Sequence, residues 1–202
     1  MNRDQYFCER DPQAFPFWQK AVVGIAGAGG LGSNIALMLA RAGIGTLIVA
    51  DYDTVSISNL NRQAFDLSQV GMHKVTALQH NILRVNPFIE LQMHHLRLIP
   101  ENLPIIFAEA EIMIEALDNA EEKAMLIETW LQTFPQKPVI CASGLAGYGR
   151  NEEIRTIQDQ NLYVIGDMHT QPTEGIAPIA PRVMIVAAMQ ANLCLELLTK
   201  DK

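Results

Sequence analysis

AVVGIAGAGGLGSNIALMLARAGIGTLIVADYD, residues 21–53, is the stretch on which the fold turns. Residues 21–27 form a short apolar run ending in glycine, the pattern of a strand buried on both faces. In residues 30–43, Ile35, Leu37, Met38, Leu39 and Ala42 fit a helix, and Gly43 is a natural stop. Residues 46–53, TLIVADYD, read as a second buried strand ending in acids. Strand, tight turn, helix and strand in this order make a βαβ unit, whose two strands run parallel.

The turn inside this unit is Gly27-Ala28-Gly29-Gly30-Leu31-Gly32. Glycines there let the backbone bend sharply and approach a phosphate closely, while the helix start aims free N–H groups and a positive dipole end at the anion. Asp51, about 20 residues further on, sits where a carboxylate can accept ribose hydroxyls. Gly27, Gly29, Gly30, Gly32 and Asp51 are therefore candidate nucleotide-binding residues. The turn alone favours NAD(P) or FAD.

The polar segment that follows shifts the reading. Asn59, Arg62 and Gln63, in SNLNRQ, can fold back over the same pocket, and an arginine fork suits a triphosphate. Lys74, near the start of the next helix, adds a point charge. Asp118-Asn119 closes the fourth strand at the carboxyl edge of the sheet, where ligands of such sheets bind. A carboxylate beside a triphosphate is a natural Mg²⁺ ligand, and Asp118 is the candidate. Each of these residues also has an ordinary role: a solvated loop for Arg62 and Lys74, a helix cap for Asp118.

Further along, residues 70–86 read as a helix ended by Asn86-Pro87, and residues 88–93 and 111–117 as strands. A helix is expected over 120–133, strands from Pro138 through VICAS and over 161–165, and a last helix over 182–198. The stretch 144–181 is rich in Gly and Pro and is expected to hold loops and antiparallel strands near the site. The predicted architecture is α/β: a Rossmann-like, doubly wound, mostly parallel sheet with antiparallel strands toward the C-terminus. No repeat or linker interrupts it, so one domain over 1–202 is expected, with residues 1–20 as an N-terminal arm.

The composition is that of a globular protein: 49% hydrophobic and 18% charged, with Lys+Arg 15 against Asp+Glu 22 and a net charge of −7. That balance argues against a nucleic-acid partner held on a basic surface. Cys8, Cys141 and Cys194 form no CxxC pair, so reduced thiols and no zinc site are expected. The N-terminus lacks the apolar run of a signal peptide, and Pro178, Pro181 and Arg182 interrupt the longest apolar stretch. No membrane span is expected, and the location expected is cytoplasmic.

GAGGLGSNIALMLARAGIGTLIVADYDTVSISNLNRQ, followed by VGMHKV and EALDN, resembles the ubiquitin-activating-like superfamily, nearest to the ThiF/MoeB/HesA adenylyltransferases. CASGLAGYGR at 141–150, NLYVIGD at 161–167 and APRVMIVAAMQANLCLELL at 180–198 are similar to a short bacterial ThiF branch linked to thiamine-type sulfur carriers. The resemblance implies ATP with Mg²⁺ as cofactors and an adenylyltransferase acting on the Gly-Gly C-terminus of a small ubiquitin-like, ThiS-like sulfur carrier. It places ribose on Asp51, phosphates on the Gly29 turn, Asn59, Arg62 and Lys74, and Mg²⁺ on Asp118. It also implies a homodimer in which an N-terminal arginine reaches the partner's ATP; the usual RYxRQ start is missing, and Arg10 in CERDP is the best substitute. The crossing loop over 150–180 contains no cysteine, so sulfur relay through a covalent cysteine adduct is not expected. An NAD(P)-dependent oxidoreductase and a non-catalytic carrier-binding scaffold are the alternatives.

Overall fold

Val23 and Ile25 of β1 (Val22–Ala26) pack into one apolar core and Ala26 into another, so both faces of the strand are buried. The same division runs through β2 (Thr46–Ala50), β4 (Ile112–Glu115) and β5 (Val139–Ala142). Leu47, Val49, Ile112, Ile114 and Ile140 join the first core, and Ile48, Ala50, Met113 and Val139 the second. A strand buried this way needs apolar residues at every position, which is why the sequence shows runs and not alternation. The computed structural model describes residues 2–173 and 175–200.

The sheet has seven strands in the order β3-β2-β1-β4-β5-β7-β6, with β3 spanning Glu90–His94, β6 Arg155–Asp159 and β7 Leu162–Gly166. Every pairing is parallel except that of β6 with β7. This is the expected Rossmann-like α/β sheet with its antiparallel pair toward the C-terminus. Strand order reverses at β1, and although β1 and β4 stay paired to their carboxyl ends, the chain leaves β1 for one face of the sheet and β4 for the other, which opens a crevice between the two connections.

On one face lie α3 (Gly30–Ala42), α4 (Lys74–Val85) and α7 (Ala180–Thr199), with Ile35, Leu39, Leu78, Ile82, Val186 and Leu198 in the first core. On the other lie α5 (Leu103–Ile106) and α6 (Ala120–Thr133), with Leu103, Phe107, Leu126 and Trp130. By length and composition α7 is apolar enough to cross a membrane, yet Val183, Val186, Ala187, Gln190, Ala191, Cys194 and Leu198 are buried, and it packs against α3. Its apolarity is that of a core helix.

Several boundaries differ from the sequence reading. β2 ends at Ala50 and not at residue 53, because Asp51 turns its carboxylate back to accept the Asp53 N–H at 2.7 Å. The helix expected from residue 70 starts at Lys74. Residues 67–69 make a 3-10 turn capped by Asp66, and Gly71 adopts φ +90°, which breaks the helical path. The N-terminal residues fold back on the body: α1 (Arg3–Phe7) and α2 (Phe15–Trp18) bring Phe7 and Phe15 together, 4.8 Å between ring centroids, over Gly43. Gly43 takes φ +104° at the end of α3, and a methyl group there would lie 2.5 Å from the Phe15 ring.

Candidate functional site

The turn between β1 and α3 is shaped by backbone contacts that exclude side chains. Gly27 has φ +98°, with the Ala116 carbonyl where a Cβ would be. A methyl group on Gly32 would lie 1.9 Å from the Gly27 carbonyl oxygen, so Gly32 allows α3 to start directly against the turn. The Ala28 N–H is held by Asp51 Oδ2 at 2.6 Å. The first-turn N–H groups of α3 have no intrahelical acceptor and are free to meet an anion.

Beside this turn opens a cavity of about 500 Å³ at the carboxyl edge of the sheet. Gly27, Gly29, Gly30, Asp51, Arg62, Gln63, Lys74 and Asp118 all line it. The segment carrying Arg62 and Gln63 is tied to α3 by two polar side chains. Asn34 Nδ2 donates to the carbonyls of Gly30 (2.7 Å) and Arg62 (2.9 Å), and Ser33 Oγ accepts from the Ala64 N–H at 3.0 Å. The stem of Arg62 therefore crosses the start of α3, within 3.6 Å of the place a Gly30 Cβ would take. Sequence reasoning passed over Ser33 and Asn34; the signal is two polar residues in the first turns of an otherwise apolar helix.

Lys74 is buried and its Nζ lies 2.6 Å from Asp53 Oδ2, while its backbone N–H donates to the Asp53 carbonyl at 2.9 Å. Asp51 and Asp53 thus link the glycine turn to the lysine. Asp118 follows β4 and has no hydrogen bond or ion pair among the described residues. It is not the cap of α6: Asn119 Oδ1 accepts from the N–H groups of Glu121 and Glu122 at 2.9 and 3.0 Å. The carboxylate of Asp118 is left free at the cavity wall, a hard oxygen donor of the kind Mg²⁺ takes. Gln63 is buried with its Oε1 unpartnered, a group that a bound ligand's hydroxyl would satisfy.

Two candidates lie elsewhere. Asn59 does not line the cavity; its Oδ1 accepts from the Ser56 N–H at 2.9 Å, capping a 3-10 turn over Ile57–Asn59. Arg10 is at the opposite end of α3, where its Nε donates to the Arg41 carbonyl at 3.1 Å and its guanidinium stacks on Tyr6 and Phe7. Thirteen helical residues, about 20 Å, separate that end from the turn.

Two buried ion pairs brace the walls, and neither was read from the sequence. Glu115, at the end of β4, pairs with Lys123 of α6 and accepts the Leu117 N–H at 2.7 Å, fixing the corner that carries Asp118. Burial pushes its carboxyl up, and the Lys123 ammonium opposes this. Arg182, in the first turn of α7, is 2.6 Å from Asp167 Oδ2 and also donates to the Gly149 carbonyl. Burial would raise the Asp167 carboxyl, but the Thr170 hydroxyl, the N–H groups of Thr170 and His169, and Arg182 hold it well below the usual carboxylate range. The cysteines stand apart from this chemistry. Burial pushes the Cys141 thiol up to about 12 and raises that of Cys194, as expected for core thiols, while Cys8 is exposed in the N-terminal region.

A free carboxylate, an arginine, a lysine and a glycine turn around one cavity are the kinds of group that can hold a metal-bound polyphosphate. The family described as the ThiF family matches residues 14–202. The Anopheles gambiae protein named adenylyltransferase and sulfurtransferase MOCS3 is 38% identical over 128 residues, 63% of this chain and 29% of that protein. The probable adenylyltransferase/sulfurtransferase MoeZ of Mycobacterium tuberculosis is 38% identical over 102 residues, 50% of this chain and 26% of its own length. The matched segment is thus less than a third of these relatives. Among solved structures, E. coli tRNA N6-threonylcarbamoyladenosine dehydratase, TcdA, in complex with AMP superposes with a TM-score of 0.85 at 18% identity, covering 96% of this chain and 92% of that one. E. coli MccB with ATP gives 0.71 at 22% identity, covering 93% and 58%.

Proposed function

The chain belongs to the ThiF family, and from that premise we propose that it adenylylates the C-terminal Gly-Gly carboxylate of a small ubiquitin-like sulfur carrier. In this reading the carrier is ThiS-like and serves thiamine biosynthesis, as in the short ThiF branch. The observation that carries the proposal is the convergence of Arg62, Lys74 and Asp118 on the cavity beside the Gly27–Gly30 turn.

ATP lies with its phosphates on the N-terminus of α3 and its ribose toward Asp51. The carrier's carboxylate oxygen attacks the α-phosphorus; the bond to the bridging oxygen of the β-phosphate breaks, pyrophosphate leaves, and the acyl-adenylate remains. In this reading Arg62, whose Nη1 donates to Asn61 Oδ1 at 2.8 Å and to the Ser58 carbonyl at 3.3 Å, turns to the phosphates, and with Lys74 neutralises charge as it moves onto the leaving group. Asp118 would hold Mg²⁺, which would supply further neutralisation of the polyphosphate when bound. The Asp167–Arg182 pair holds the 144–149 loop near the cavity mouth, where the glycines leave room for a narrow peptide.

A dinucleotide enzyme explains the turn but leaves Arg62, Lys74 and Asp118 without a task. The decisive measurement is ATP–pyrophosphate exchange with a panel of Gly-Gly-ended carriers. Exchange is expected only with carrier present, and Asp118→Ala should lower it by at least about 10²-fold. Binding of NADH with no ATP binding would overturn the proposal; exchange supported by tRNA and by no carrier would move the acceptor to nucleic acid, against the net charge of −7.

A further inference from the structure

The loops after β3 and β4 and the first turn of α6 form a largely apolar part of the cavity wall, with Leu96, Leu98, Leu117 and Ala120. With phosphates on the glycine turn and ribose at Asp51, a planar base has this wall to lie against. One charged side chain there keeps a carboxylate oxygen without a partner among the described residues. Glu122 lines the cavity with its side chain 15% exposed. Its backbone is fixed by the Asn119 cap at 3.0 Å. Its Oε1 accepts two hydrogen bonds from Arg97, from Nε at 2.9 Å and Nη2 at 2.6 Å. Arg97 in turn sits 5.7 Å from the centroid of the Tyr52 ring, so the loops after β2 and β3 and the first turn of α6 are drawn together at this rim. Oε2 of Glu122 has no partner among the described residues.

We propose that Glu122 is a base-specificity residue, its free Oε2 accepting a hydrogen bond from the exocyclic amine of adenine, with Arg97 as the positioning residue. The inference rests on the reading of the cavity as a nucleoside-triphosphate site. A carboxylate is only an acceptor at neutral pH. Adenine offers it an N–H; hypoxanthine and guanine, lying the same way, offer a carbonyl oxygen, so two acceptors face each other across a partly desolvated gap. Sites built around a polar partner reject the analogue that lacks it more sharply than apolar sites do. Lys123, the cation next to Glu122, cannot reverse this preference, because its ammonium is held by the buried Glu115.

The test is equilibrium binding of Mg-ATP and Mg-ITP to the full chain and to Glu122→Gln, Glu122→Ala and the exposed neighbour Glu121→Gln. The wild type is expected to prefer ATP by roughly 10- to 100-fold, the range of a lost hydrogen bond to a charged group. Glu122→Gln, whose amide can also donate, should bring the two ligands to within about threefold, as should Glu122→Ala, while Glu121→Gln keeps the wild-type ratio. An ATP/ITP ratio near one in the wild type, or one unchanged in both Glu122 variants with ATP binding intact, would overturn the assignment and leave the nucleotide site standing. A wild type that binds neither triphosphate would remove both.

Discussion

Gly32 is where a single methyl group decides whether the turn can exist. Its missing Cβ is occupied by the Gly27 carbonyl oxygen at 1.9 Å, a backbone atom that cannot swing aside. Gly32→Ala is expected to destabilise the chain by about 1–3 kcal/mol, as other overpacked sites do, and to weaken ATP binding with it. Gly71 is the contrasting case: it has φ +90° but nothing near its Cβ position, so Gly71→Ala should cost only the backbone term of about 1–2 kcal/mol and leave ATP binding unchanged. Denaturant midpoints and ATP titrations of the two variants separate close packing from conformation. The turn and Asp51 were legible because their residue types have few other reasons to stand in that order. The turn-capping contact of Asn59 and the burial of Lys74 were not. An asparagine near a ligand and one capping a 3-10 turn look alike in sequence, and the burial of Lys74 depends on Asp53 being folded against it.

At the scale of elements, α7 begins with a buried guanidinium that reaches back to β7 and to the 144–149 loop. Arg182 and Asp167 are both nearly inaccessible, so removing one strands the other. Arg182→Met should destabilise by about 3–5 kcal/mol and increase proteolytic cutting within 144–149 and 167–172. The pH dependence follows from the direction of the shift. Asp167 is held below its ordinary value in the folded state, so its contribution is complete above the unfolded carboxylate pKa, near 4, and is lost as pH falls toward the folded value. Wild-type stability should therefore decline below about pH 4, and Asp167→Asn, less stable at neutral pH, should show a shallower decline. A wild type and variant with parallel acid slopes would show that other carboxylates govern acid unfolding. The sequence puts antiparallel strands somewhere within 144–181 but gives β6 no bounds, for the opposite reason to β1: all five of its residues, RTIQD, are exposed, and it is held by its ladder to β7 with no apolar face to announce it.

For the whole molecule, the order of strands explains why one crevice gathers residues from so many segments. Winding outward from β1 in both directions leaves the loops after β1, β2 and β4 around the same opening, where Gly29, Asp51 and Asp118 meet. Arg10 is excluded from that gathering within one protomer, since it lies beyond the far end of α3. If a homodimer of the kind the family resemblance implies places this arginine at the partner's cavity, mixing has a defined consequence. Arg10→Ala and Asp118→Ala should each be inactive alone, and dimers re-formed from an equal mixture should regain roughly a quarter of wild-type exchange, because half the dimers have one intact site of two. Recovery of nothing, or full activity of Arg10→Ala by itself, would show that Arg10 does not act across an interface.

The chain's own residues, read in order, determined the βαβ unit, the glycine turn, the acids at the strand ends and the family. These are local features: a buried strand, a tight turn and a helix start each need particular residue types within a few positions. Only the tertiary structure decided which polar side chains face the cavity, which cap a turn, and which are spent in the Glu115–Lys123 and Asp167–Arg182 pairs. Such pairing is set by burial and by distance between segments far apart in the chain, and neither quantity is written in the spacing of residues along it.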